Sequence, residues 1–236
     1  MTRQSFPIVG MHCASCAKLI EKKLVNTPGV VSASVNYGSE QASVEYDDSA
    51  VDIAKLADAV SATGYKAIIA EKSQDKSVDK LKEEEKVREL KSLKVKVVYS
   101  VVFAAILFLG SFPEWFPFIP EILNDPWLLF IFSSIIQFWA GRDFYLATWS
   151  GLKNRTASMD TLIVMGTSAA YFYSVLGLFV PRAFEMLGIP IVMYFDTSAV
   201  IITLILLGRY LEAKAKAHTS DAIKKLLELQ AKTKTA

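Results

Sequence analysis

The chain has 236 residues, with 26 basic against 24 acidic side chains, and its net charge of +2 leaves no electrostatic footprint for nucleic acid. Hydrophobic residues make up 52% and charged residues 21%, and the two classes are segregated along the sequence. The length fits one large domain or two modest ones. The pattern divides into a soluble head over residues 1–71, a charged connector over 72–94, a mostly apolar region over 95–211 and a polar tail over 212–236.

Residues 1–9 lack the apolar core of a secretory signal, so the N-terminus is expected in the cytoplasm, where thiols stay reduced. A short strand over 5–9 leads into Gly10-Met11-His12-Cys13-Ala14-Ser15-Cys16, which holds both cysteines of the chain. Two thiolates three positions apart, on a loop running into a helix, can face one another across a single soft ion. Thiolate is the ligand type that selects Cu(I). Redox centres share the C-x-x-C spacing, so the two cysteines alone leave both chemistries open.

Ala17, Ile20 and Leu24 share one face of a helix over 16–25, which Asn26-Thr27-Pro28-Gly29 breaks. Val31, Ala33 and Val35 alternate with polar residues, as do Ala42, Val44 and Tyr46, with a hairpin turn at Tyr37-Gly38-Ser39 between them. Ile53, Leu56, Ala57 and Val60 mark a second helix, closed by Gly64 in the left-handed position. A last strand follows over 65–70. The order βαββαβ is the α+β ferredoxin-like arrangement.

A strand, then G-M-x-C-x-x-C, within that order resembles the heavy-metal-associated domain of copper chaperones and copper-transporting P-type ATPases. The resemblance implies that Cys13 and Cys16 bind one Cu(I) in near-linear geometry. It also implies that Met11 packs beneath the loop, that Tyr65 closes over the metal, and that His12 faces solvent without ligating. A redox centre calls for a thioredoxin pattern with a longer sheet, which the head lacks. Zinc calls for four ligands, or three and an open position, where only two are visible. Zinc-pumping relatives carry an acid where this chain has His12, which leaves a Zn/Cd-type relative as the alternative to copper.

The connector alternates charge at i,i+4 spacing and reads as a solvated helix or flexible linker. Either leaves the head free to move, and no chemistry is assigned to it. Four transmembrane helices then follow, at about 95–112, 127–146, 160–180 and 190–211, forming an all-α membrane region matched to about 30 Å of hydrocarbon. Pro113, Pro117, Pro120 and Pro126 punctuate the first loop, with Trp115 and Phe116 suited to the interface. That loop carries no Lys or Arg. Arg142, Lys153 and Arg155 follow the second span, and Arg209, Lys214 and Lys216 follow or end the fourth. The positive-inside rule therefore gives a multi-pass cell-membrane protein with both termini cytoplasmic.

Ser158-Met159-Asp160-Thr161-Leu162, Tyr194-Phe195-Asp196 and Leu207-Gly208-Arg209-Tyr210-Leu211-Glu212 extend the resemblance to the leading helices of copper-transporting P-type ATPases. It implies that Met159 and Glu212 are two parts of an ion-uptake site, and that Asp196 lies on the exit path. Without it, Met159 reads as interfacial packing, Glu212 as a solvated carboxylate and Asp196 as an acid snorkelling to water. Ala140-Gly141 stands where the family has a double glycine that kinks the second span. Residues 142–157 then form an amphipathic platform, with Phe144, Leu146, Trp149 and Leu152 toward the bilayer. The resemblance makes this a docking surface for a cytosolic copper chaperone or for the head.

The family's D-K-T-G-T and T-G-E sequences are absent, and no cysteine follows Cys16. The actuator, phosphorylation and nucleotide domains are therefore missing, no catalytic residue is assigned, and ATP and Mg matter only in a full-length pump. The expected function is that of the N-terminal fragment of a copper(I)-exporting ATPase, capturing Cu(I) and passing it to the membrane. The alternatives are a membrane-tethered metal-binding or chaperone protein without ATPase activity, and a membrane thiol oxidoreductase.

Overall fold

Alternating apolar residues and two amphipathic helices build the head. Strands β1 (Thr2–Val9), β2 (Val30–Asn36), β3 (Gln41–Tyr46) and β4 (Lys66–Ala67) form an antiparallel sheet in the order β2-β3-β1-β4. Helices α1 (Ala14–Val25) and α2 (Ile53–Ser61) complete the ferredoxin-like fold. The computed structural model describes residues 1–69, 75–112 and 120–233, with the backbone alone at 75–82, 121 and 218–233.

Phe6 and Ile8 of β1, Ala42 and Val44 of β3, Ile20 and Leu24 of α1, and Leu56 and Val60 of α2 meet in one apolar core. Phe6 stands opposite Ala42 and Gln4 opposite Val44, so the strands present one period-2 face to the helices. β1 begins earlier than its apolar pattern, because Thr2, Arg3 and Gln4 pair with Tyr46, Glu45 and Val44 through the backbone. β4 is short, with Ala67 opposite Ile8 and Lys66 opposite Val9, and the Ile68 N–H donates to the Pro7 carbonyl just beyond it. Gly64 takes φ +87° after α2, the left-handed turn its position requires.

Most of the remaining described residues are helical. α3 (Asp75–Ser111) merges connector and first apolar segment into one helix. The loop residues Pro113, Trp115, Phe116 and Pro117, the head residues 70–71 and the connector residues 72–74 lie outside the described residues. A 3-10 turn (Glu121–Asn124) leads to α4 (Pro126–Ser134), whose cap Asp125 accepts from the Trp127 N–H at 3.0 Å. A π turn (Ile135–Ala140) follows, then α5 (Arg142–Lys153), α6 (Met159–Phe179), α7 (Pro181–Leu187) and α8 (Phe195–Thr233). α7 has no counterpart in the sequence reading. α8 starts later than residue 190, because Pro190 and the residues after it run without helix until Tyr194 donates its N–H to Ser174 Oγ at 2.6 Å.

One glycine suffices for the break between the π turn and α5. The Gly141 N–H bonds to the Ile136 carbonyl at 2.9 Å, and a Cβ at 141 would sit 2.4 Å from the Gln137 carbonyl oxygen. π turns recur where a helix is locally widened for function. Leu107, Ile136, Phe144, Phe195, Ile202 and Leu206 form the core of this second region. Trp127 meets Phe179 at 5.2 Å, and Ser133 donates to the Phe195 carbonyl at 3.2 Å. The start of α4 and the end of α6 therefore lie at one end of the bundle, and the start of α8 meets α4 farther in, at Ser133. Lys96 and Asp143, 2.5 Å apart, and Asp160 with Arg209 mark the other end. Among the described residues, Glu83–Ser111 and Met159–Phe179 are long and apolar enough to cross a membrane, and Pro126–Ala140 is a shorter apolar helix.

Candidate metal site

Cys13 caps the N-terminus of α1 in extended conformation, and its sulfur accepts the Cys16 N–H at 3.2 Å. A helix N-terminus favours negative charge, which lowers the cost of a thiolate there. Cys16 is 2% exposed, on the buried face of α1. The two Cα atoms are 5.3 Å apart and the structure joins the sulfurs in a disulfide, where the sequence reading expects two free thiols. That Cα separation lies within the span a disulfide bridges. The same approach lets two reduced sulfurs share one small ion.

Met11 is 3% exposed and belongs to the head core, where it anchors the loop from below. Tyr65 stands beside the loop, its ring 3.8 Å from the point a Gly10 Cβ would occupy. Burial pushes the Tyr65 phenol up to about 12, with the Asp160 carboxylate acting in the same direction. Among the described residues no group of three or more His, Cys, Asp or Glu side chains is arranged to hold a metal.

His12 corrects the sequence reading. It does not face open solvent: its Nε2 lies 3.6 Å from a Glu89 carboxylate oxygen on α3. Burial, aided by the Arg209 guanidinium, lowers its pKa to about 4, so the imidazole is neutral at physiological pH and the contact is not an ion pair there.

The connector is likewise no free tether, because the head sits against it. Lys66 of β4 pairs with Glu85 at 2.6 Å, and Glu40 of the hairpin turn pairs with Lys86 at 2.6 Å. The head also reaches α5 and α8. Ser150 donates to the Thr63 carbonyl at 2.7 Å, and Tyr37 donates its hydroxyl to the Glu212 carboxylate. Lys216 lies 3.0 Å from Glu212 and 3.8 Å above the Tyr37 ring. Burial works to raise the Glu212 carboxyl, but the Tyr37 and Lys216 contacts outweigh it and hold it below the usual range. Sequence reasoning missed Tyr37, Glu40, Glu89 and Ser150, whose partners lie far away in the chain.

Two cavities open between head and helices. One, of about 40 Å³, is lined by Gly10, Met11, His12, Glu89, Arg209 and Glu212. It has room for water or a lone ion. The other, of about 210 Å³, is lined by Gly10, His12, Tyr65, Asp143, Asp160 and Arg209 among others. The loop leading to Cys13 and the Glu212 carboxylate thus border one small space. Met159, the first residue of α6, is 45% exposed and lines neither cavity. Asp196, in the first turn of α8, is 9% exposed and so is not reaching out to water. It stands about 24 Å along the helix from Glu212.

The heavy-metal-associated domain family matches residues 5–66. A probable copper-transporting ATPase of a Synechocystis species is 42% identical over 95% of this chain and 30% of its own length. The copper-exporting P-type ATPase of Bacillus subtilis is 37% identical over 99% of this chain and 29% of its own. The chain therefore spans about three-tenths of the relatives it matches. Among solved structures, the N-terminal domain of the Synechocystis ATPase PacS is 37% identical with a TM-score of 0.27, covering 30% of this chain and all of that one. The CopZ metallochaperone is likewise 37% identical, with a TM-score of 0.28 over 28% of this chain and all of its own.

Proposed function

We infer, from a head that is a heavy-metal-associated domain on a chain homologous to the N-terminal part of copper-exporting P-type ATPases, that this polypeptide is the metal-capturing portion of such a pump. Its cargo is Cu(I), taken in the cytosol by Cys13 and Cys16 and handed to a membrane uptake site that includes Glu212 and Met159. Asp196 serves the exit side. The observation that carries the reading is the pairing of the chain's two cysteines at the start of α1, on a loop that borders the cavity holding Glu212.

The chemistry follows from softness and charge. Two thiolates suit a monovalent soft ion, and a site with only two sulfurs leaves it open to attack by an incoming ligand. Met11 fixes the loop from inside the head, and the helix terminus stabilises the thiolates. A docked head therefore presents its cargo at the mouth of α6 and α8. The membrane region is read as four spans, about 95–112, 127–146, 160–180 and 190–211, with head and C-terminal helix cytoplasmic. Apolar side chains exposed along α3, α4, α6 and α8 support it. The exposed Leu146, Trp149 and Leu152 of α5 suit a platform lying on the bilayer, over which a cytosolic copper chaperone can approach. Coupling to ATP and Mg belongs to parts of the pump beyond this stretch.

The disulfide favours a second reading, a membrane thiol oxidoreductase. Anaerobic titration of the reduced full chain with Cu(I), against a chromophoric chelator, separates the two. A tight equivalent that needs both sulfurs, lost in Cys13→Ser and Cys16→Ser while a weaker equivalent at the membrane region remains, is the expected result. No binding, together with ready thiol–disulfide exchange with a partner protein, supports the oxidoreductase.

A further inference from the structure

Between the metal loop and Glu212 stands a positive charge. Arg209 is 7% exposed and lines both cavities that the loop borders. It lies three residues before Glu212 on α8, so the two share a helix face. A guanidinium in that place repels an arriving cation, and low-dielectric surroundings strengthen the repulsion.

The structure does not leave that charge bare. Asp160, in the first turn of α6 and 2% exposed, forms a direct ion pair with Arg209. The guanidinium also stacks over the buried Phe144 ring of α5, 4.3 Å from its centroid. Of the other charged groups lining these cavities, Asp143 pairs with Lys96, Glu40 with Lys86, and Glu212 with Lys216 and Tyr37, while Glu89 faces the neutral His12 and not the guanidinium. The carboxylate that answers Arg209 is therefore Asp160, supplied by the residue next to Met159.

We propose that Asp160 is an internal counter-ion, cancelling the Arg209 charge beside Glu212 so that a monovalent cation leaving the head meets a neutral passage. Asp160 acts through Arg209 and does not ligate the cargo. The proposal rests on the reading of Glu212 as part of the uptake site, and it adds a residue whose charge, rather than its ligand atoms, sets the affinity there.

The test uses the full chain in lipid nanodiscs with both Cys13→Ser and Cys16→Ser, so that Cu(I) retained against bicinchoninate under anaerobic reduction reports the membrane region. The parent binds Cu(I), and Glu212→Gln loses it. Asp160→Asn, which strands the guanidinium, weakens binding about tenfold or more. Arg209→Gln alone binds at least as tightly as the parent, and the double variant Asp160→Asn/Arg209→Gln returns to within about threefold of it. A mere packing link gives a different pattern, with both single variants and the double all weakened, and that result overturns the counter-ion. Unchanged binding in Asp160→Asn overturns it too. Should Asp160→Asn fail to fold by circular dichroism, Arg209→Gln and the double decide, and weakened binding in either counts against the proposal. A parent that binds no Cu(I), or a Glu212→Gln variant that binds it unaltered, removes the uptake reading itself and the counter-ion with it.

Discussion

Head and helical region are built inside out with respect to one another. In the head the buried side chains are apolar almost throughout, with Thr63 the buried polar exception among the described residues. In the helices the interior holds Ser100, Ser133, Gln137, Asp160, Thr167, Ser174, Ser198, Thr203 and Arg209, while large apolar side chains such as Leu162, Leu176 and Leu204 face outward. Water drives the first arrangement, by rewarding removal of apolar surface. A lipid surround would remove that drive between helices and leave packing and hydrogen bonds to select the interior. The contrast supports two solvents for one chain.

The sharpest way to test the contrast is at the metal loop. Changing both Cys13 and Cys16 to Ser is expected to lower the head's Cu(I) affinity by about a thousandfold or more, some 4 kcal/mol, measured by chelator competition. Retained affinity would show that the head needs no sulfur. Next comes the head core. Ile20→Ala, at a fully buried position, costs about 2–5 kcal/mol, read as an earlier unfolding of the head in denaturant while the helices keep their circular dichroism.

The outer surfaces give the most direct comparison. Leu204→Arg, on an exposed face of α8, costs about 2.5–3.5 kcal/mol of membrane insertion, scored by glycosylation mapping. Val31→Arg, equally exposed on β2, stays within about 0.5 kcal/mol in the head's unfolding. Equal tolerance at the two positions would erase the difference between the regions. The smallest effect belongs to their junction. Tyr37→Phe removes the hydrogen bond to Glu212 and weakens docking by about 1 kcal/mol. Faster cleavage of the connector by a site-specific protease reports it, and an unchanged rate argues that Tyr37 contributes nothing to docking.

The head was legible because its information is local. Phe6, Ile8, Ala42 and Val44 announce their faces by alternation, and Gly64 announces a left-handed turn. The two cysteines were equally plain as a pair, though their spacing alone left metal and redox chemistry both open. α7 was not legible, because the seven residues from Pro181 to Leu187 are too few for a period to stand out. Docking was hidden for a deeper reason. Tyr37 and Glu212 are separated by 175 positions, and each alone looks like an ordinary polar surface residue. Asp160 and Arg209 left a faint trace: an acid opening one apolar helix and a base closing another, at the same end of the bundle. The disulfide and the half-buried His12 depend on what surrounds the loop in three dimensions, which no spacing encodes.

α8 runs for 39 residues from Phe195 to Thr233 without a proline or a break, some 58 Å of helix. A beam of that length with no joint relays displacement instead of absorbing it. Glu212, where the head touches this shaft, and Asp196, about 24 Å away, are joined by unbroken helix, so a tilt at one carries the other. On the reading proposed above, in which Glu212 belongs to uptake and Asp196 to exit, intake and release would share a single moving part.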